Sequence, residues 1–371
     1  MTIQPQYVRK QHRGNAVVLM VGTLFMGLMT SAIAVDMGYL YAEHTLLQAA
    51  ADSAALAATH EMVRNSGTSA ATVRAAAQSA AASVASSNSQ GSNTVSIDQN
   101  VDITFGYLDP GTPSYSSATF GTVNGSTSYA FTGGYNAVKV NVRRTSGSPA
   151  GNIGTIMANL FGVTEFGTQA SAIALADNRI QQISGLRPFY ACQAQWAQAN
   201  SDGNPANNTA RIFGSNHSLD GASVAGCPSN PNGNWGFADF RDDTSGAPGN
   251  STIGEWTADG YDGPVVMGQN YSTQPGTAIS STNVRTPIDD LIANHTVISI
   301  PLIDSTSGSG SNSQYHISQI TGFVITAYRS TGAQSSRYIE GYFTQAICSD
   351  QCTVSSTTID GGGQFKIRLV R

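Results

Sequence analysis

From Asn15 to Ala34 the chain runs NAVVLMVGTLFMGLMTSAIA, twenty residues without a charge. A helix rises about 1.5 Å per residue, so this stretch reaches roughly 30 Å, the thickness of a hydrocarbon core. The apolar pattern does not break at Ala34. It continues as VDMGYLYAEHTLLQAAADSAALAATHEMV, with no proline and one glycine before Met62. Leu40, Leu47 and Ala54 recur every seven residues, with Leu46, Ala50 and Ala57 beside them, which is helical spacing. The pattern predicts one uninterrupted helix from about Gly14 to about Arg64. Ala49, Ala50, Ala51, Ala54, Ala55, Ala57 and Ala58 give its second half a small-residue face. Such a face suits close packing against a partner helix or against the chain's own domain.

Beyond this helix the pattern changes. Val73 to Val84 extends the helical composition, and SSNSQGSNT (Ser86–Thr94) reads as a linker. Alternating apolar positions then predict strands over Val95–Leu108, Ala137–Arg144 and Phe166–Leu175, with a short helix near Asn152–Phe161. From about Gln181 turn-rich segments such as SDGNPANN, PSNPNGN and DDTSGAPGN separate apolar strands. These strands are predicted at Val265–Met267, Thr296–Ile303, Ile317–Tyr328, Arg337–Ile347 and Gln364–Val370, with one helical piece at Pro287–Ala293. Phe365, Ile367 and Leu369 alternate with charges, so the last strand is expected inside a sheet. The expected fold class is α+β: a long N-terminal transmembrane helix, a small α+β unit and a larger β-rich domain. The corresponding domains are 1–14 (basic tail), 15–64 (long helix), 65–94 (extension and linker), 95–180 (small α+β unit) and 181–371 (β-rich unit).

Charge orients the anchor. Arg9, Lys10 and Arg13 precede the apolar run, while Asp36 and Glu43 follow it, so the positive-inside bias places the N-terminus in the cytoplasm. The competing reading is a cleaved signal peptide, since Ala32-Ile33-Ala34 has the small-x-small pattern before Val35. The helical continuation to Arg64 favours a retained anchor. Only 11% of residues are charged, and the net charge is −5. That acidic balance offers no footprint for nucleic acid. Four cysteines, Cys192, Cys227, Cys348 and Cys352, lie in the second half. Outside the cytoplasm they are candidates for disulfides. The simplest of three connectivities is Cys192–Cys227 with Cys348–Cys352. A zinc site is the rival, but a lone C-x3-C has no matching second pair.

Candidate chemistry is sparse. His12, His44, His60, His217, His295 and His316 form neither HxxxH nor HExxH. No Walker or dinucleotide glycine pattern occurs, and Gly308-Ser309-Gly310 lies in a serine-rich loop. Asp239, Asp242 and Asp243 enclose Arg241 and lack calcium-loop spacing. No catalytic residue, metal site or cofactor is expected. Asp36 is the polar residue that invites a role. It either marks the membrane boundary or pairs with a cation on a neighbouring subunit; Asp52 poses the same question less sharply.

The stretch RGNAVVLMVGTLFMGLMTSAIAVDMGYLYAEHTLLQAAADSAALAA resembles the N-terminal signature of TadG-like proteins of the Tad (Flp) pilus apparatus. Its parts are Arg13-Gly14, Val35-Asp36, Leu47-Gln48 and Ala50 to Ala57. VDITFGYLDPGTPSY (Val101–Tyr115), YNAVKVNVRR (Tyr135–Arg144) and NLFGVTEFGTQASAIA (Asn159–Ala174) are similar to the segments that follow in that family. GNWGFADF (Gly233–Phe240) and DGYDGPVVMGQNYSTQPG (Asp259–Gly276) resemble its C-terminal region more loosely. The chain departs in two places. Pilins of this system carry a glutamate five residues after the processed glycine, where this chain has Leu19. Larger relatives carry a D-x-S-x-S metal site; after Asp304 this chain has Thr306 and Gly308 instead.

The resemblance implies a non-enzymatic component of Tad/Flp pilus assembly, a minor pilin or accessory protein anchored in the bacterial inner membrane with its bulk exported. Its partners would be the inner-membrane assembly platform and other Tad pilins or pseudopilins. The candidate packing and assembly residues are Gly14, Asp36, Leu40, Leu47, Ala50 and Ala54. One rival is a secreted adhesin or carbohydrate-binding protein that stacks sugars on Trp196, Trp235 and Trp256. The other is an anchored periplasmic hydrolase, which lacks any motif.

Overall fold

The computed structural model describes residues 13–89, 94–109, 111, 119–121, 135–212, 217–228, 237–241, 248–273, 278–309, 312–333, 336–348, 351–355 and 362–370. Arg9, Lys10, His12, Trp235, Asp242 and Asp243 lie outside the described residues, as do 90–93 of the expected linker. The backbone of Gly14 is helical, with its surroundings outside the description.

Helix α1 runs unbroken over Arg13–Arg64. The segment expected to prolong it turns back instead. Chain reversal at Asn65–Ser69 is followed by α2 (Ala70–Ser87), whose N-cap Ser69 accepts a hydrogen bond from the Thr72 N–H, as capping requires. Val73, Ala77, Ala81 and Ala85 are buried at every fourth position, a stripe that meets the alanine face of α1. The Asn88 side chain donates to Ser53 Oγ at 3.0 Å, so the helices are antiparallel. Alanine against alanine lets the two axes approach closely.

The second half of α1 lies across a six-stranded sheet. Its order is Ala346–Cys348, Gln364–Val370, β6 (Thr168–Asp177), β3 (Ala137–Arg144), β1 (Ile103–Tyr107) and β2 (Thr119–Gly121). Leu47, Ala50, Ala54, Ala58 and Met62 from α1 share one core with Val138, Val140, Ala172, Ala174 and Phe365 from the sheet. Thr59 donates to the Ala174 carbonyl, and Gln48 to that of Ser171. β1 is shorter than expected because Asp98 and Asp102 close a turn ahead of it, Asp102 Oδ2 accepting the Asp98 N–H. The expected helix near Asn152–Phe161 is a two-residue strand pair, β4 (Ile153–Gly154) with β5 (Glu165–Phe166), that carries the 3-10 turn Ala158–Phe161 at its tip.

The last strand, Gln364–Val370, pairs antiparallel with β6, in the sheet of the first half rather than in the second unit where its sequence position put it. Asp177 at the end of β6 is fully buried, and Arg179 and Arg368 both hydrogen-bond its carboxylate. Two guanidiniums thus meet the charge that closure of the sheet buries.

The second sheet is built on Gln314–Arg329, flanked by Val297–Ser307, Tyr338–Thr344 and Gln269–Thr273. Three helices accompany it: α3 (Gln193–Ala199), α4 (Asn250–Ala258) and α5 (Thr282–Ala293). The sequence pattern showed only the end of α5. Pro287 inside α5 cannot donate to the carbonyl of Asn283. That carbonyl faces Gly254 of α4, where a Cβ would come within 2.4 Å. The missing donor and the missing side chain let the two helices cross. Cys192–Cys227 and Cys348–Cys352 are disulfide-bonded, so the zinc alternative does not apply to these thiols.

Candidate assembly site on the long helix

Two environments divide α1. From Ala16 to Ser31 every residue is exposed, with Val18, Met20 and Met26 more than two-thirds open. A free-standing apolar helix of this length has a natural solvent in lipid, and it is long and apolar enough to cross a membrane. From Leu47 onward one face is closed. Leu47, Ala50 and Ala54 are fully buried against the chain's own sheet and α2, and Leu40 is half-buried. The small-residue face therefore serves packing within this chain.

Asp36 lies between the two environments and is 3% exposed. Its carboxylate is turned away from open water, and among the described residues of this chain no cation pairs with it. Oδ1 accepts the Ile156 N–H at 2.8 Å and the Met157 N–H at 3.1 Å, and Oδ2 accepts the Ala158 N–H. These are the donors left open at the start of the 3-10 turn Ala158–Phe161, where a negative charge is favourable. One turn further into the apolar segment Ala32 is 1% exposed. Deeper still, the Phe25 ring meets the Phe161 ring edge-on at 6.1 Å between centroids. Residues 25, 32 and 36 share one helical face, so the β4–β5 tip lies along the helix below its exit from the apolar segment. The sequence singled out Asp36 but not its partner, which is 120 residues away. The sign available was the run IMANLFGV (Ile156–Val163), which lacks strand alternation and charge.

Elsewhere, Trp196 and Trp256 are buried in the core of the second sheet, Trp196 against Phe343 and Trp256 against Tyr261. They form no stacking surface for a sugar. Asp304 pairs with His316 Nδ1 at 2.7 Å, but Ser305 donates to the same carboxylate rather than to the imidazole. No nucleophile is activated by that arrangement. Asp239 is taken by Arg241, and Asp52 accepts from Gln48. A polar cleft of about 320 Å³ (Lys139, Asn141, Gln169, Ser171) and a mixed one of about 240 Å³ (Arg187, Pro287, Asp290, Leu291, Asn294, Thr296) hold no nucleophile–base pair among these residues. Among the described residues no three His, Cys, Asp or Glu side chains are grouped to hold a metal.

The fold and this helix define a class: a helix-on-sheet protein with a bare apolar stem long enough to cross a membrane and a head packed on the same helix. Residues 14–61 match the family of TadE/G-like Flp pilus-assembly proteins, and residues 47–174 match the Tad-like Flp pilus-assembly family. Residues 14–174 thus carry the sequence pattern of the Tad/Flp pilus-assembly families, which supports a TadG-like protein involved in Flp pilus assembly. Tad families are structural and assembly proteins. The two matches overlap on 47–61, the part of α1 that lies on the sheet. No curated protein and no solved structure matches the chain.

Proposed function

We propose that this protein is an inner-membrane component of the Tad/Flp pilus machine, a minor pilin or accessory assembly protein. Its N-terminus lies in the cytoplasm and its head outside the membrane. The observation that carries this reading is the bare apolar stem of α1 inside a Tad-matched segment. Leu47, Ala50 and Ala54 already pack within the chain, so contacts to the assembly platform or to other pilins fall to the exposed stem, from Ala16 to about Met29, with Gly14 just ahead of it. Leu40 and Asp36 act indirectly, by fixing the stem to the head.

The secreted-adhesin alternative loses support. Two of its three tryptophans are in the core, and cleavage after Ala34 would remove Phe25 and Ala32 from their contacts with the head. Deletion of the gene in its own bacterium, followed by imaging of filaments, tests the proposal. Loss or shortening of Flp pili that the intact gene restores is expected; unchanged piliation and adhesion would overturn it. A mature N-terminus at Val35, read by mass spectrometry, would overturn the anchored form of the reading.

A further inference from the structure

Among the described residues, seven large apolar side chains off α1 are exposed, and four of them crowd into one tip: Ile156, Leu160, Phe161 and Val163. Leu160 is 76% open. Between Ile153 and Phe166 the single charge is Glu165, at the base of the hairpin, where Asn152 hydrogen-bonds it at 2.8 Å. The tip is thus an apolar end on a polar stalk. Water is a poor solvent for such a cluster, and no other part of the described chain covers it.

Its position says what does. Phe161 meets Phe25, and Phe25 lies eleven residues before Asp36 on α1. At about 1.5 Å per residue that is roughly 16 Å below the carboxylate, about half the hydrocarbon thickness. If the stem spans the membrane, a loop touching Phe25 is at acyl-chain depth. Irregular backbone survives there only when its polar groups are paired. In this tip most of the backbone donors are. Asp36 accepts the N–H groups of Ile156, Met157 and Ala158. Those of Leu160, Gly162 and Val163 donate to the carbonyls of Met157, Asn159 and Ala158, and Thr155 closes the hairpin on Thr164. Gly162 ends the turn at φ +84°, a conformation that a side chain would strain.

We propose that the β4–β5 tip is a second membrane element, inserted into the head-side leaflet beside α1, with lipid acyl chains as its partner. Ile156, Leu160 and Val163 face those chains, Phe161 packs on the stem, and Asp36 neutralises the backbone donors that insertion would otherwise strand. The head is then held to the bilayer at two points, which fixes its tilt about the anchor. This rests on the anchored reading of α1 above.

The test uses the full chain reconstituted in vesicles of phosphatidylethanolamine and phosphatidylglycerol with no other protein. All four native cysteines are paired, so Leu160→Cys, Val163→Cys, Val21→Cys and Ser223→Cys each present one thiol for an environment-sensitive fluorophore. The probes at 160 and 163 are expected to match that at Val21. Each emits blue-shifted light and loses about half its signal or more to acyl-chain nitroxide lipids. The Ser223 probe on the second sheet is expected to respond to aqueous iodide instead. Iodide quenching at both 160 and 163, with Val21 still in lipid, overturns the tip proposal and leaves the anchor standing; a tip reserved for a protein partner would give that result. Iodide quenching at Val21 as well overturns the anchor reading beneath it.

Discussion

Replacing Asp36 with alanine removes the acceptor for three backbone N–H groups at the head–stem junction. A buried donor left without a partner costs about 1–3 kcal/mol in a protein interior, and more where no water can reach it. Three donors would cost more than the tip gains by staying docked, so the tip is expected to leave the helix. The measurable loss is then the docking free energy. A cap substitution in water costs about 0.5–2 kcal/mol, and low-dielectric surroundings with three donors raise the figure to roughly 3 kcal/mol. Hydrogen exchange on vesicle-bound protein reads this directly. The amides of residues 155–163 should exchange roughly a hundredfold faster in Asp36→Ala, since each 1.4 kcal/mol is about a factor of ten. Asp36→Asn keeps one oxygen but turns an amide donor toward donors, so it should recover only a small part of the protection. Amides on the second sheet, for example in Gln314–Arg329, should not change. Unaltered exchange over 155–163 in Asp36→Ala, with α1 still helical, would refute the claim that this carboxylate holds the tip.

Three further outcomes follow from packing and charge. Ala54→Leu puts a larger side chain into the fully buried contact between α1 and the sheet; it should destabilise the head by about 1–3 kcal/mol, read as a lower urea midpoint, whereas Ala42→Leu on the exposed side should not. Asp177→Ala leaves Arg179 and Arg368 facing each other without their anion, at a cost of about 3–5 kcal/mol, and thermal unfolding at the wild-type midpoint would count against the bridging role. His217 is 5% exposed beside Tyr190, and burial lowers its pKa from 6.5 to about 4. The unfolded chain therefore binds this proton first. Stability should be full above about pH 6.5, fall by about 3 kcal/mol in all as pH drops toward 4, and level off below. His217→Phe should remove that share of the slope in urea titrations, and identical slopes would sink the assignment.

Local physics explains which features were legible in advance. The stem needs only twenty uncharged residues, and the run to Arg64 needs only helical periodicity without a breaker. Strands such as Ala137–Arg144 and Gln364–Val370 alternate in faces, and the structure has both within the same bounds. The second helix was readable as helix but not as a return, because the reversal at Asn65–Ser69 is decided by what the alanine stripe of α2 can bury against. Trp196 and Trp256 looked available for stacking because a sequence lists an aromatic ring without its burial.

The apolar segment, the long helix and its small-residue face are properties of neighbours three, four and seven residues apart, so the sequence by itself determined them. Which partner that face meets was decided only by the tertiary structure, as were the crossing of the last strand into the first sheet and the seating of Asp36 on Ile156–Ala158. The last two join residues more than a hundred positions apart, and all of them arise from the need to bury apolar faces and pair backbone donors once the chain has closed on itself. No local pattern encodes that need, because each half of the contact reads alone as an ordinary acid and an ordinary loop.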